Sequence, residues 1–276
     1  MEGSLRVHIR LPSITCVVIA LCALSQTVSA YLTEQPDYVK TCNINEPNFI
    51  NCSTHAVQLL FNELPRGVPE IGLEPLDPLR VKRIKILQGA GPVNVNASLS
   101  NVTVVGFAHT KIVENRVDPV TYDFHTDLRL PRLRIDGRYV LLGRILVIPL
   151  RGIGQCWFDA RNLEISAKSK VKMIKRGEFH FFSVQGITVK FQIGGLRLHL
   201  GNLFDGIKAL EETTNAYLNE NWRLVADSLN PILAKTIEDI MLDILKKVFD
   251  NVPADFLLMV SKKNLLKNSS LHDNLE

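Results

Sequence analysis

The chain lacks the short motifs around which most catalytic sites are built. There is no H-E-x-x-H to set two histidines and a glutamate on one helix face for zinc. There is no G-x-S-x-G elbow to expose a serine, and no glycine loop ending in lysine and serine or threonine to cradle phosphate. Gly152 and Gly154 of "RGIGQC" follow a strand-like run but lack the third glycine and the helix that a dinucleotide site requires. Asp123, Asp127 and Glu164 stand at no spacing that sets a general acid against a base, and His125 and His199 fall on the polar phase of strand patterns as solvated imidazoles. No enzyme, metal site or cofactor is expected. Charge of one sign is also scarce. The 32 Lys and Arg against 28 Asp and Glu leave +4, without the basic excess or aromatic motif of a nucleic-acid binder. Lys168, Lys170 and Lys172 alternate with Ala167, Val171 and Met173 and read as the wet side of a strand.

Long apolar runs are missing after the N-terminus, so no stable membrane insertion is expected. The first thirty residues read as a cleaved secretory signal: Arg6, His8 and Arg10, then "LPSITCVVIALCAL", then small Val28, Ser29 and Ala30. Losing Arg6, Arg10 and Glu2 takes +4 to +3 and predicts a soluble extracellular protein. Of the five cysteines, Cys42, Cys52 and Cys156 remain, at no zinc spacing. Cys42 and Cys52 are close enough to bridge, and Cys156 reads as a buried small apolar residue. Sequons at Asn96, Asn101 and Asn268, with Asn51 a poorer fourth, predict glycans on outward-facing positions.

What is present is apolar periodicity. In "VNVNASLSNVTVV", Val93, Val95, Ala97 and Leu99 alternate with Asn94, Asn96, Ser98 and Ser100, with a phase slip near Asn101. From Arg80 to Leu200 similar alternation recurs, punctuated by turns or bulges at Asp136-Gly137, Arg176-Gly177 and Gly194-Gly195, and predicts an antiparallel meander. Ahead of it, Val57, Leu60, Phe61 and Leu64 predict a short helix, with Ser53 as its N-cap and Pro65 and Gly67 as its stop. Behind it, apolar residues from Tyr217 to Val248 recur at steps of three and four, predicting a long helix kinked or broken at Pro231. A meander of this length needs its apolar face covered, and only that helix is large enough. The expected fold is α+β, a strongly curved antiparallel sheet wrapped around one long C-terminal helix with a short N-terminal helix, as a single domain over 31–260 with a polar tail at 261–276.

Four stretches in order resemble the insect takeout / haemolymph juvenile hormone-binding family. They are the paired Cys42 and Cys52, "GVPEIGLEPLDPLRVKRIKI" (Gly67–Ile86), "IPLRGIGQCWFDARNLE" (Ile148–Glu164) with its P-x-x-G-x-G, and "LFDGIKALEETTNAYLNENWRLV" (Leu203–Val225) with its N..LN.NW. The likeness spans about Thr41 to Leu257. It implies a TULIP-type lipid-binding fold with an elongated internal cavity, carried in a haemolymph-like fluid by a protein without catalysis. Some relatives are linked to circadian timing or feeding. The partner it implies is a small lipophilic ligand, such as a juvenile hormone-like terpenoid, a fatty acid or another lipid. The candidate contacts are Val57, Leu60 and Phe61 on a gating N-terminal helix, with Phe124, Tyr139, Phe181, Phe191, Trp222 and Leu229. The fourth cysteine of a second bridge is missing, which places the chain nearer takeout than the classical hormone carrier. A monomer is expected. The alternatives are a secreted signalling protein that meets a receptor and a lipid-transfer protein that docks on membranes.

Overall fold

The computed structural model describes residues 31–88, 93–145 and 148–259. The segment expected to be a signal, Asn268 and the tail beyond 260 lie outside the described residues. A short β1 (Cys42–Asn43) leads into α1 (Phe49–Glu63). The main sheet follows: β2 (Leu79–Gln88), β3 (Val93–Val105), β4 (Lys111–Val117), β5 (Phe124–Ile145), β6 (Ile148–Arg176) and β7 (Phe179–Leu200). All its pairings are antiparallel, in the order β2-β3-β5-β6-β7, with β4 on the first part of β5. The chain ends in α2 (Lys208–Glu220), α3 (Trp222–Asn251), α4 (Ala254–Leu257) and β8 (Leu258–Met259), which pairs in parallel with β1. The Cys42–Cys52 disulfide ties β1 to α1, and by the chain-entropy model a loop this short contributes ~2–3 kcal/mol. Helix α3 packs along β7 and also meets β2, so it spans the gap between the two outer strands and closes a curled sheet into a half-barrel.

The 29 residues of β6 would reach ~95 Å if straight, at ~3.3 Å per residue. The strand bends instead, and register slips at Ser100/Thr103, Ile112/Glu114 and Lys170/Val171 relieve the pairing as the sheet curls. The slip predicted near Asn101 is one of these, with Asn101 at φ 52.

A curled sheet leaves backbone groups unpaired along its outer strands, and on β7 and β4 helices satisfy them. Leu198 N–H donates to Asn219 Oδ1 at 2.9 Å, and Asn219 Nδ2 donates back to the Leu198 carbonyl at 2.9 Å. Asn215 does the same for Leu200, at 2.8 and 3.0 Å. Two strand residues advance ~6.6 Å and four helical residues ~6 Å, so an i, i+4 asparagine pair keeps step with β7. Further along, Glu238 accepts the Val189 N–H at 2.9 Å and Asn230 donates to the Phe191 carbonyl at 3.4 Å. On β4, Gln58 of α1 accepts from Ile112 N–H at 2.8 Å and donates to the Thr110 carbonyl at 3.1 Å, while Thr54 accepts the Asn115 N–H at 2.9 Å. The fully buried Asn115 side chain donates to Ser53 and accepts from Thr126, both at 2.6 Å.

Four expectations change. Ser53 lies inside α1, buried on β4, and the helix starts at Phe49 after Asn48, because Cys52 is helical and not part of a loop. The break in the C-terminal rod falls at Asn221, not at Pro231. Pro231 sits on the solvent side, where the Asp227 carbonyl it leaves without a donor can be hydrated, so the helix continues through it. Gly194-Gly195 runs through β7 without a turn or register slip, while Asp136-Gly137 lies in β5 opposite the slip at Ser100/Thr103 and Arg176-Gly177 makes a hairpin turn. Tyr122, on the alternating phase of "TYDFHTDLRL", precedes β5 with φ 61. The alternation of "VNVNASLS" holds: Val95 is buried, Ala97 and Leu99 are partly buried inside, and Asn94 and Asn96 are exposed.

Two measurements test this framework. Asn215→Ala leaves both backbone groups of Leu200 unpaired and should lower unfolding stability by ~2–4 kcal/mol in urea. A loss under ~0.5 kcal/mol would show that the edge needs no such seal. Cys156 is free and buried, and burial followed by the Asp136 charge raises its thiol to about 11 from 9.0. At pH 8 only about one thiol in a thousand is then ionised, so alkylation should await unfolding. The native thiol keeps a proton that the unfolded chain gives up, so its contribution to stability is intact below pH 9.0 and lost as pH rises toward about 11. Cys156→Ala should flatten that fall.

Candidate functional site

The apolar interior is gripped at two ends and slack between them. At one end Val248 and Phe249 of α3 pack with Phe182, Tyr122 and the disulfide region. At the other, Val225 packs with Tyr139, Leu150, Leu200 and Leu218. Between Ala226 and Val248, ~30 Å of helix at 1.5 Å per residue, no residue of α3 is buried. The exposed positions Pro231, Lys235, Asp239 and Asp243 form one stripe, while Ile232, Leu233, Ile237, Ile240, Met241 and Ile244 are all only half-buried. Ile232 packs against the Val225 cluster and Ile244 against the Phe249 cluster, whereas Leu233, Ile237, Ile240 and Met241 join neither and are not fully open to water. Across from them lie half-buried Ile84, Ile86, Ala97 and Leu99 on the inner phase of β2 and β3.

Most of the residues singled out in the sequence reach this interior. Phe61 packs on the Leu128, Leu130, Ala160 and Leu163 cluster, with Val57 and Leu60 beside it half-buried on α1. Phe124 lies 5.3 Å from both Phe182 and Phe249. Tyr139 is buried and donates to the Gly201 carbonyl at 2.9 Å. Phe191 is buried on the phase of Ile193, which packs inward, and Leu229 joins the Tyr139 cluster.

Two do not. Phe181 packs away from α3, under Tyr31 at 5.0 Å and beside the Arg176 guanidinium at 5.1 Å, and its neighbour Phe182 faces inward instead. Simple alternation back from Ile187 points Phe181 inside; the slip at Lys170/Val171 inserts one residue and reverses the phase. Trp222 lies on an outer groove at the α2–α3 junction. Sequence reasoning passed over Phe182 and the middle of α3, although the three-and-four spacing from Ile232 to Ile244 marked the latter.

The motifs that carried the resemblance have structural work. Asp77 of "LDPL" accepts the Gly106 and Ala108 N–H groups, at 3.2 and 2.8 Å, and pins the turn before β4. Gly152 and Gly154 leave room under β6: an added Cβ would come within 2.5 Å of the Tyr139 hydroxyl at the first and 2.0 Å of the Gly201 carbonyl at the second. That keeps Tyr139 in place. Burial first, with the Cys156 and Glu211 charges behind it, raises its phenol to about 12, so it remains a neutral donor. One polar atom is different. The Tyr122 hydroxyl is buried without a hydrogen-bond partner among the described residues, and burial raises its pKa as well.

One polar cluster has the composition of a catalytic relay without its geometry. His125 Nε2 lies 3.1 Å from Ser166 Oγ and 3.3 Å from Asp127 Oδ1. A serine–histidine–aspartate relay needs the carboxylate on one ring nitrogen and the hydroxyl on the other, and here both meet the same one. Desolvation raises the Asp127 pKa, but Ser166, His125 and Arg116 outweigh it and hold the carboxyl below its usual range. Among the described residues no three His, Cys, Asp or Glu side chains come together to hold a metal, and no helix is long and apolar enough to cross a membrane.

Comparison with known proteins agrees with this geometry. The circadian clock-controlled protein daywake of Drosophila yakuba is 23% identical over 229 residues, covering 80% of this chain and 86% of that one. A putative beta-carotene-binding protein of Schistocerca gregaria is 25% identical over 227 residues, covering 79% and 87%. The crystal structure of Takeout 1 from Epiphyas postvittana superposes with a TM-score of 0.70 at 25% identity, over 80% of this chain and all of that one. The family model of haemolymph juvenile hormone binding proteins matches residues 16–259, and with the curled sheet, the C-terminal helix and the apolar interior in agreement, the chain belongs to that family.

Proposed function

We propose that the protein is a secreted, non-enzymatic, monomeric carrier that holds a small hydrophobic molecule along the inner side of α3. The observation that carries this is the half-buried apolar stretch from Ile232 to Ile244, flanked by tightly packed clusters at both ends. Burying ~300 Å² of ligand is worth ~7.5 kcal/mol, a ceiling near micromolar affinity before the costs of immobilisation are subtracted. Terpenoids, fatty acids and other lipids suit such a lining, and the carotene named for the locust relative is of the same chemistry. Among the described residues, the unpartnered Tyr122 hydroxyl is the one buried donor free to orient a polar end of the ligand. Asn96 and Asn101 are exposed, in keeping with glycans on a secreted chain.

Organic extraction of protein purified from secretory cells should yield a lipid in near one-to-one ratio, identified by mass spectrometry. An extract without lipid, together with no uptake of a fluorescent fatty acid, would sink the carrier reading. Filling the stretch with Leu233→Trp and Ile237→Phe should weaken fatty-acid uptake at least tenfold, or ~1.4 kcal/mol, with the fold intact by circular dichroism. Tyr122→Phe removes only the orphan hydroxyl. It should weaken a fatty acid several-fold, leave a hydrocarbon of equal length unaffected, and not reduce stability.

A further inference from the structure

The outer face of the sheet carries a second candidate site, unrelated to the carrier interior. Cys156, Phe158 and Ala160 point inward, so Trp157, Asp159 and Arg161 on β6 face out, opposite His199, Arg197 and Gly195 on β7. The α2–α3 junction rises beside them and presents Glu220, Trp222 and Arg223, forming an open groove of about 730 Å³. The chain has two tryptophans, and both line this groove. Trp157 stacks on His199 with the Arg134 guanidinium 4.3 Å from its ring, and Arg223 lies 4.7 Å from the ring of Trp222.

Charge gives the groove its selectivity. Buried Asp159 is matched by Arg132 through two bonds, at 3.0 and 2.6 Å, with Arg161 at 3.6 Å. The Arg132 bonds come first among the causes that hold its carboxyl below the usual range. Arg197 and Arg223 have no carboxylate partner among the described residues, so against Glu220 the groove keeps positive charge to spare. Guanidinium forks match carboxylates, and desolvated tryptophan and arginine are the side chains on which protein interfaces concentrate their binding energy. The groove is open, so a chain segment can lie along it with its carboxylates against the guanidiniums.

We propose that this groove docks an acidic, aromatic-bearing segment of a partner protein, whose carboxylates meet Arg161, Arg197 and Arg223 and whose apolar side chains lie against Trp157 and Trp222. It stands on the face opposite the carrier interior and does not rest on the carrier reading.

Both tryptophans report on the groove, so intrinsic fluorescence of the intact protein is the assay. The probe is a short synthetic peptide of alternating glutamate and phenylalanine, with the glutamine–phenylalanine peptide and phosphatidylserine vesicles as comparisons. A saturable emission change with the glutamate peptide, weakened by salt and absent with the glutamine peptide, is expected. Arg197→Glu with Arg223→Glu should weaken it at least tenfold and leave fatty-acid uptake unchanged, with Arg197→Gln and Arg223→Gln as the milder pair if the reversal unfolds. The proposal is overturned by no change up to the peptide's solubility limit, by equal response to the glutamine peptide, by full binding in the charge-altered protein, or by response to vesicles alone.

Discussion

The structure depends on how the free edges of its sheet are satisfied. An open antiparallel sheet presents a row of unpaired N–H and C=O groups at each outer strand, and each such group left buried and unmet costs ~1–3 kcal/mol. On β7 and β4 the next strand is replaced by helices whose side-chain amides imitate it. Asn215 and Asn219 each offer one acceptor and one donor to a single residue of β7, and Gln58 divides its pair between Ile112 of β4 and Thr110 just before it. Because these bonds are directional, they set the axial position of each helix against its strand to within a residue.

The interior is shaped by that anchoring. A helix fixed only by hydrophobic packing must fill its apolar face closely to hold its place. Helix α3 is held by Glu238 and Asn230 at the strand edge and by compact clusters at its two ends. Its middle is thereby released from the duty of packing, and apolar side chains can line a space without the helix drifting. A ligand-holding interior is in general an unstable design, since collapse of its lining would restore the dispersion attraction that any open space forgoes. Polar anchoring at the rim opposes that collapse.

Much of this was legible because it is periodic. Alternation located the sheet and its inner face, and steps of three and four located the rod, since each follows from backbone geometry repeated over many residues. The four family stretches were legible as well, and N..LN.NW contains the very asparagines that seal β7. What failed was phase and context. One inserted residue at the Lys170/Val171 slip exchanged Phe181 for Phe182, and the local signal in "FHFFSVQG" is a single glycine, Gly186, beside the slip. Proline inside a helical pattern ordinarily breaks it, yet the solvent side of α3 absorbs the donor that Pro231 lacks. Size and aromaticity point Trp222 toward the interior, but they do not distinguish a core from a groove.

The two faces of the sheet also divide the chemistry. With side chains at period 2, each of β5, β6 and β7 supplies apolar residues to one side and charges to the other, so the interior and the outer groove are built from adjacent residues of the same strands. Cys156 and Trp157, or Phe158 and Asp159, are neighbours with opposite fates. The two sites also share a wall. Asn215 and Asn219 seal β7 from the side and border the outer groove. Trp222 in the groove precedes Val225 in the inner cluster by less than one helical turn.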